Sequence, residues 1–269
     1  MLRERVLMPI DSDLIGALLV ERMGKRDVLV TEHSHHTLFQ TSTIDALLDG
    51  NYEGDLSFAE LRAQGDFGLG TFEALDGEMI GLDGDFYQVK ADGLAYKVDE
   101  QMKTPFAVVT FFEPRETREI SAPTDYAALR ALLDEVVASD AETCRAVRAE
   151  GYFSYVKTRS VPHQRKPYPP LVEAVKHQPT FEFRGVRGSL VGFRFPDYVG
   201  GLNVSGYHFH FITGDRSAGG HLLDCRIARG EIQVDHESDL RLELPAGVDE
   251  AMPDLVASKK DALKRIENV

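Results

Sequence analysis

Apolar and polar residues along this chain recur in two rhythms, and each change of rhythm predicts a change of element. In "STIDALLDG", Ile44, Leu47 and Leu48 fall at helical spacing. Ser42 or Thr43 can cap the first turn and Gly50 ends it. "LSFAELRAQG" predicts a second short helix, with Ser57 and Glu60 as a capping box, Leu56 and Leu61 as a hydrophobic staple, and Gly65 as a left-handed terminator. "TFEALDGEMIGLDGDFYQVK" then shifts to a two-residue period around Asp76-Gly77 and Asp83-Gly84, the pairs that tight hairpins favour. "FAVVTFF", Phe106 to Phe112, is apolar throughout, as expected of a central strand covered on both faces.

Helical period returns in "PTDYAALRALLDEVV", where Leu129, Leu132, Leu133, Val136 and Val137 share a face behind a Thr124/Asp125 cap. "ETCRAVRAEGYFSYVKTRSV" is ambiguous by period, but its β-branched and aromatic content favours strand after Gly151. "VPHQRKPYPP" reads as an extended, proline-stiffened loop, followed by a second β-rich block that ends in "GYHFHFIT". "SKKDALKRIENV" is expected to be a helix or tail, amphipathic through Ala262, Leu263 and Ile266.

Composition narrows the partners. The chain has 269 residues, enough for one large domain or two ordinary ones. With 30 basic against 44 acidic residues its net charge is −14, which argues against nucleic acid as a partner because the phosphate backbone is met by basic patches. Only Cys144 and Cys225 are present, so no disulfide framework is expected and a reducing cytoplasm is the default. No apolar run approaches the roughly 18 residues that a spanning helix needs, and no signal peptide is legible, so no membrane association is expected.

The candidate chemistry lies in "GYHFHFITGDRSAGGHLLDC", which holds three of the nine histidines. On a strand, His208 and His210 point to one face while Phe209 and Phe211 point to the other. The Gly-rich reversal that follows can return His221 beside the pair, giving the three-histidine set on which catalytic zinc keeps an open position. A solvent-facing polar strand would also accommodate isolated histidines. Cys225, four residues beyond His221, sits too far along the strand to complete the set and is read as an apolar-like core residue. "HSHH", with His33, His35 and His36, has metal-like spacing but no rigid element to hold it, and is read as a solvated loop. On pattern alone Glu78 and Arg159 are both strand residues facing water, although Arg159, ahead of a stiff loop, has the planar fork that clamps carboxylates.

Four segments together resemble the acetolactate decarboxylase family: "LFQTSTIDALLDGNYEGDLSFAEL", "GDFGLGTFEALDGEMIGLDGDFYQV", "VKTRSVPHQRKPYPPL" and "VSGYHFHFITGDRSAGGHLLDC". The resemblance implies an α+β fold, with two domains built on mixed, largely antiparallel sheets and a few flanking helices. It is divided here into an N-terminal extension (1–37), an N-terminal α/β domain (38–150) and a β-rich domain carrying the metal site and C-terminal tail (151–269). It implies a cytoplasmic, homodimeric carboxy-lyase that converts (S)-2-acetolactate into (R)-acetoin and CO2, for acetoin biosynthesis. One zinc per chain is expected on His208, His210 and His221, with no organic cofactor. Glu78 and Arg159 become catalytic residues by the same resemblance, and Glu267 a carboxylate near the metal, with Glu250 as an alternative. Chelation of the ketone and hydroxyl oxygens would convert the carbanion left by CO2 into a metal-stabilised enediolate. Two other classes compete: a cupin-like metal-dependent oxygenase or isomerase, which lacks its usual glutamate here, and a non-enzymatic module that binds metal or a hydroxy acid.

Overall fold

The computed structural model describes residues 36–137 and 143–244, together with Leu263 and Ile266. The first half contains β1 (Thr37–Thr41), α1 (Ile44–Leu48), β2 (Leu56–Ser57), α2 (Phe58–Arg62), β3 (Phe67–Thr71), β4 (Glu78–Leu82), β5 (Asp85–Val89), β6 (Ala95–Lys97), β7 (Lys103–Thr104) and β8 (Ala107–Thr110). There follow β9 (Glu116–Ile120), β10 (Thr124–Asp125), α3 (Tyr126–Val137), β11 (Cys144–Arg159), α4 (Leu171–Ala174), β12 (Thr180–Phe195), β13 (Gly206–Thr213), β14 (Gly219–Glu237) and β15 (Asp239–Glu243).

Seven strands form one mixed sheet in the order β15-β1-β8-β3-β4-β5-β6, antiparallel except that β15 runs parallel to β1. The second sheet runs β10-β14-β11-β12-β13, with β9 added against β14. β13 also pairs with β14, so β11, β12, β13 and β14 close on themselves. The fold is therefore α+β, as the resemblance implied. No helix among the described residues is long and apolar enough to cross a membrane.

Most local expectations hold. Thr43 caps α1 by accepting the Ala46 N–H, and Ser57 and Glu60 form both halves of the capping box on α2. Each such cap stabilises its helix by about 1 kcal/mol. Leu56 and Leu61 are both buried in one cluster. Asp83 and Gly84 adopt φ 55° and 79°, the paired positive values of a type I′ turn between β4 and β5. β8 is buried along its whole length, and 160–170 carry no helix or strand. In α3, Leu129, Leu133 and Val136 are buried and the Asp125 carboxylate accepts the Ala128 N–H.

Four expectations change. Gly65 is absent from the positive-φ residues, and its small size instead admits the backbone of Thr110, which a Cβ would meet at 2.6 Å. Asp76-Gly77 is not a two-residue hairpin: the β3–β4 connection is the longer 72–77, containing a 3-10 turn at Glu73–Leu75. Leu132 faces outward at 37 % exposure. β11 begins at Cys144, well before Gly151, because both of its edges are paired, to β12 and to β14.

The expected division at residues 150 and 151 falls inside that strand, where Glu150 and Gly151 are paired on both sides. The sheets also exchange chain segments, since β9 and β10 join the second sheet and β15 returns to the first. Leu38, Phe67, Leu69, Ile80, Val89 and Val108 of the seven-stranded sheet pack against Ala146, Val191, Phe193 and Ile212 of the other. Full burial of each large side chain contributes roughly 1.5–3 kcal/mol, so this shared cluster ties the two sheets together. Of the N-terminal extension only His36 and Thr37 lie within the described residues.

Candidate metal centre

The alternation of β13 separates its two jobs. Phe209 and Phe211 enter the core beneath α3, Phe211 edge-on to Phe153 at 5.1 Å between centroids, while His208 and His210 take the other face. Gly219 and Gly220 explain how His221 reaches them. A Cβ at Gly219 would meet the Phe211 carbonyl at 2.2 Å, and one at Gly220 would meet the Arg159 carbonyl at 2.4 Å. Gly220 also has φ +136°, a conformation few L-residues adopt. Without side chains there, β14 threads between β13 and β11, placing His221 opposite His210 on one side and Arg159 on the other.

The ligand nitrogens of His208, His210 and His221 all lie within 4.8 Å of one another. His208 Nε2 and His221 Nδ1 are 3.1 Å apart. His210 is 1 % exposed, and its Nδ1 donates to the Met79 carbonyl at 2.8 Å. A carbonyl only accepts, so Nδ1 carries the proton and Nε2 keeps its lone pair, as in a metal-ligating histidine oriented by its second nitrogen. Burial, assisted by Arg159, pushes His208 down to about 3, and burial first also holds His210 and His221 well below the usual imidazole range. Three neutral imidazoles result. His208 Nδ1 is buried with no hydrogen-bond partner among the described residues. This donor set suits a borderline cation such as zinc.

Glu78 arrives from the opposite sheet as the first residue of β4 and is buried, contrary to the solvent-facing pattern reading. Its Oε1 accepts the Val161 N–H at 3.2 Å, and its Oε2 lies 3.4 Å from His210 Nε2. Two lone-pair atoms at that distance call for a proton or cation beside them. The loop delivering Glu78 is strained: Ala74 and Leu75 have φ 58° and 55°, a cost of about 1–2 kcal/mol per residue. Ala74 is held within it by its N–H to the Tyr52 carbonyl and by the Gln164 N–H to its own carbonyl.

Arg159 is 3 % exposed, again contrary to the solvent-facing pattern reading, and donates through Nη1 to the Ile266 carbonyl. Ile266 is itself buried beside Val161, Leu171 and Val204, with Leu263 partly buried against the same cluster. Glu267 and Glu250 lie outside the described residues. Thus five of the six expected site residues are brought together from β4, β11, β13 and β14.

Cys225 is buried among apolar side chains, its thiol pushed up to about 12 by burial, and it does not join the histidines. His36 departs from the solvated-loop expectation, pairing through Nδ1 with the buried Asp235 carboxylate at 3.0 Å. His33 and His35 lie outside the described residues. The Met79 carbonyl, Val161 N–H and Ile266 carbonyl are backbone groups, and no side-chain pattern could have announced them.

The family model described as alpha-acetolactate decarboxylase matches residues 38–252. An alpha-acetolactate decarboxylase of Methylococcus capsulatus is 46 % identical over 236 residues, covering 88 % of this chain and 90 % of its own. One from Methanosarcina mazei is 47 % identical over 238 residues, covering 88 % and 82 %. The crystal structure of alpha-acetolactate decarboxylase from Bacillus subtilis strain 168 superposes with a TM-score of 0.82 at 39 % identity, covering 87 % of this chain and 100 % of that one. On fold, site and sequence together, the chain belongs to the alpha-acetolactate decarboxylase family.

Proposed function

We propose that the protein decarboxylates (S)-2-acetolactate to (R)-acetoin and CO2, with one zinc ion held by His208, His210 and His221. The observation that carries the reading is the convergence of three neutral imidazoles, within 4.8 Å of one another, on a buried carboxylate and a buried guanidinium. When bound, zinc supplies a Lewis acid that polarises the substrate's ketone.

The chain's own groups do the rest. Arg159 stands opposite His221 and presents a planar, permanently charged fork that orients the substrate carboxylate. Its Nη1 bond to Ile266 restricts how the fork can turn. Loss of CO2 leaves an electron pair on the adjacent carbon, which must then be protonated on one face. Glu78 is the group suited to this, since arginine holds its proton at any relevant pH. The Val161 N–H holds Oε1, which leaves Oε2, the oxygen toward His210, as the one placed to hand over a proton. Burial of His210, His221 and Arg159 limits how far bulk water can compete for that proton. Glu267 is assigned to the ligand shell on the family resemblance. The reading includes a cytoplasmic homodimer without organic cofactor.

The test is to incubate purified protein with racemic acetolactate and follow CO2 and acetoin, before and after chelation, alongside metal analysis and chiral chromatography. One equivalent of zinc and stoichiometric (R)-acetoin are expected. A fully metallated sample giving no acetoin above the spontaneous background sinks the proposal, and ligand binding without CO2 release would mark a non-enzymatic module.

A further inference from the structure

We propose that Gln88 is a positioning residue for the decarboxylation, holding Glu78 in place from the far face of the sheet. The inference rests on the proton-transfer role given to Glu78 above.

Glu78 pairs with Val89 across β4 and β5, and Met79 pairs with Gln88. Cross-strand partners share a face and successive residues alternate. Glu78 and Val89 therefore face the site, whereas Met79 and Gln88 face the cluster of Phe58, Phe72 and Phe86. Gln88 is 3 % exposed, yet its amide does not simply fill space. Nε2 donates to the Asp76 carbonyl at 2.6 Å and to Asp76 Oδ2 at 3.0 Å.

Asp76 is the residue through which the strained loop enters β4. Its φ −80° and ψ 65° place it at the centre of an inverse γ-turn, closed by the Gly77 N–H to the Leu75 carbonyl at 2.9 Å. Thr71 Oγ1 donates to the Gly77 carbonyl from the other side. Two left-handed residues and a γ-turn in succession have easier conformations available, so the loop keeps its shape only while its carbonyls are held. Gln88 supplies a buried bidentate hold, two residues before Glu78, from a side chain that cannot reach the substrate.

The measurement is steady-state kinetics with metal analysis on Gln88→Met, Glu78→Gln and the double variant. Gln88→Met keeps the side chain's length and removes the donor. It should lower kcat by about tenfold or more, as expected for a misplaced reacting group, with KM within about twofold and zinc content unchanged. In the double variant Gln88→Met should add nothing to the loss caused by Glu78→Gln, because it acts through that carboxylate. Wild-type kcat in Gln88→Met, or losses that multiply in the double variant, overturns the proposal. Should Gln88→Met fail to fold, Asp76→Ala takes its place: its side chain is 26 % exposed, and it leaves the amide one acceptor of two. A fall in kcat of about threefold at constant KM is expected there, and unchanged kcat overturns the proposal. Full turnover in Glu78→Gln would remove the role of Glu78 itself. Loss in Glu78→Gln beside normal turnover in Gln88→Met removes only the role of Gln88.

Discussion

His210 and Glu78 are linked twice over. The ring Nδ1 donates to the carbonyl of Met79, the next residue on Glu78's own strand, while Nε2 faces Glu78 Oε2 at 3.4 Å. The backbone of one sheet thereby orients the imidazole that stands against that sheet's carboxylate. On the proposed roles, metal-holding and proton-handling should be separable by mutation. His208→Ala and His210→Ala should lose both metal and activity. Glu78→Gln should retain the metal and lose turnover by about 10²–10⁴-fold, the range of general acid catalysis. Equal metal loss in all three variants would refute the division of roles.

Arg159→Lys tests the fork rather than the charge. A lysine ammonium cannot bind a carboxylate bidentately, and it also surrenders the geometry that meets the Ile266 carbonyl. We expect KM to rise by about tenfold at near-normal zinc content. An unchanged KM would show that the guanidinium does not bind the substrate carboxylate.

Gly220→Ala should disrupt the centre without touching any ligand. Its φ of +136° and the 2.4 Å approach of a Cβ to the Arg159 carbonyl oppose any side chain. A loss of roughly 2 kcal/mol or more is expected, lowering Tm by several degrees in a chain of this size and weakening metal retention. Wild-type melting and metal content would be incompatible with the close threading of β14.

Glu237 supplies a pH prediction remote from the site. Burial first, then the nearby Asp235 charge, pushes its carboxyl up to about 8, against an ordinary value of 4.5. Between these values the unfolded chain releases a proton that the folded chain retains, so stability falls as pH rises from 4.5 to about 8 and this contribution is then exhausted. Glu237→Gln should remove that slope, raising Tm at pH 8 relative to pH 5. Parallel melting curves for wild type and variant across the range would disprove it.

The legible parts of this molecule were those whose physics is local. The Thr43 and Ser57 caps, the Asp83-Gly84 turn and the alternation of His208 and His210 against Phe209 and Phe211 each follow from a few adjacent residues. Asp76-Gly77 was misread because its loop is bound by distant groups, among them the Tyr52 carbonyl and the Gln164 N–H. Gly65 was misread because the backbone it admits, at Thr110, lies far along the sequence. Glu78 looked like a surface residue because its covering partner, His210, sits on the other sheet. The role proposed for it, like that for Arg159, rests on likeness to a family rather than on spacing.

The parallel pairing of β1 with β15 constrains the order in which the molecule can be built. Thr37 aligns with Asp239, 202 positions later (239 − 37). β1 therefore waits, held by β8 on one side only, while nearly all of the described chain emerges. Its open edge, which carries Leu38 and Phe39, is a template for unwanted strand pairing until β15 arrives. Glu78 likewise waits for histidines more than a hundred residues downstream. Contacts of such long range make for slow folding, and an interrupted chain would be both inactive and prone to self-association.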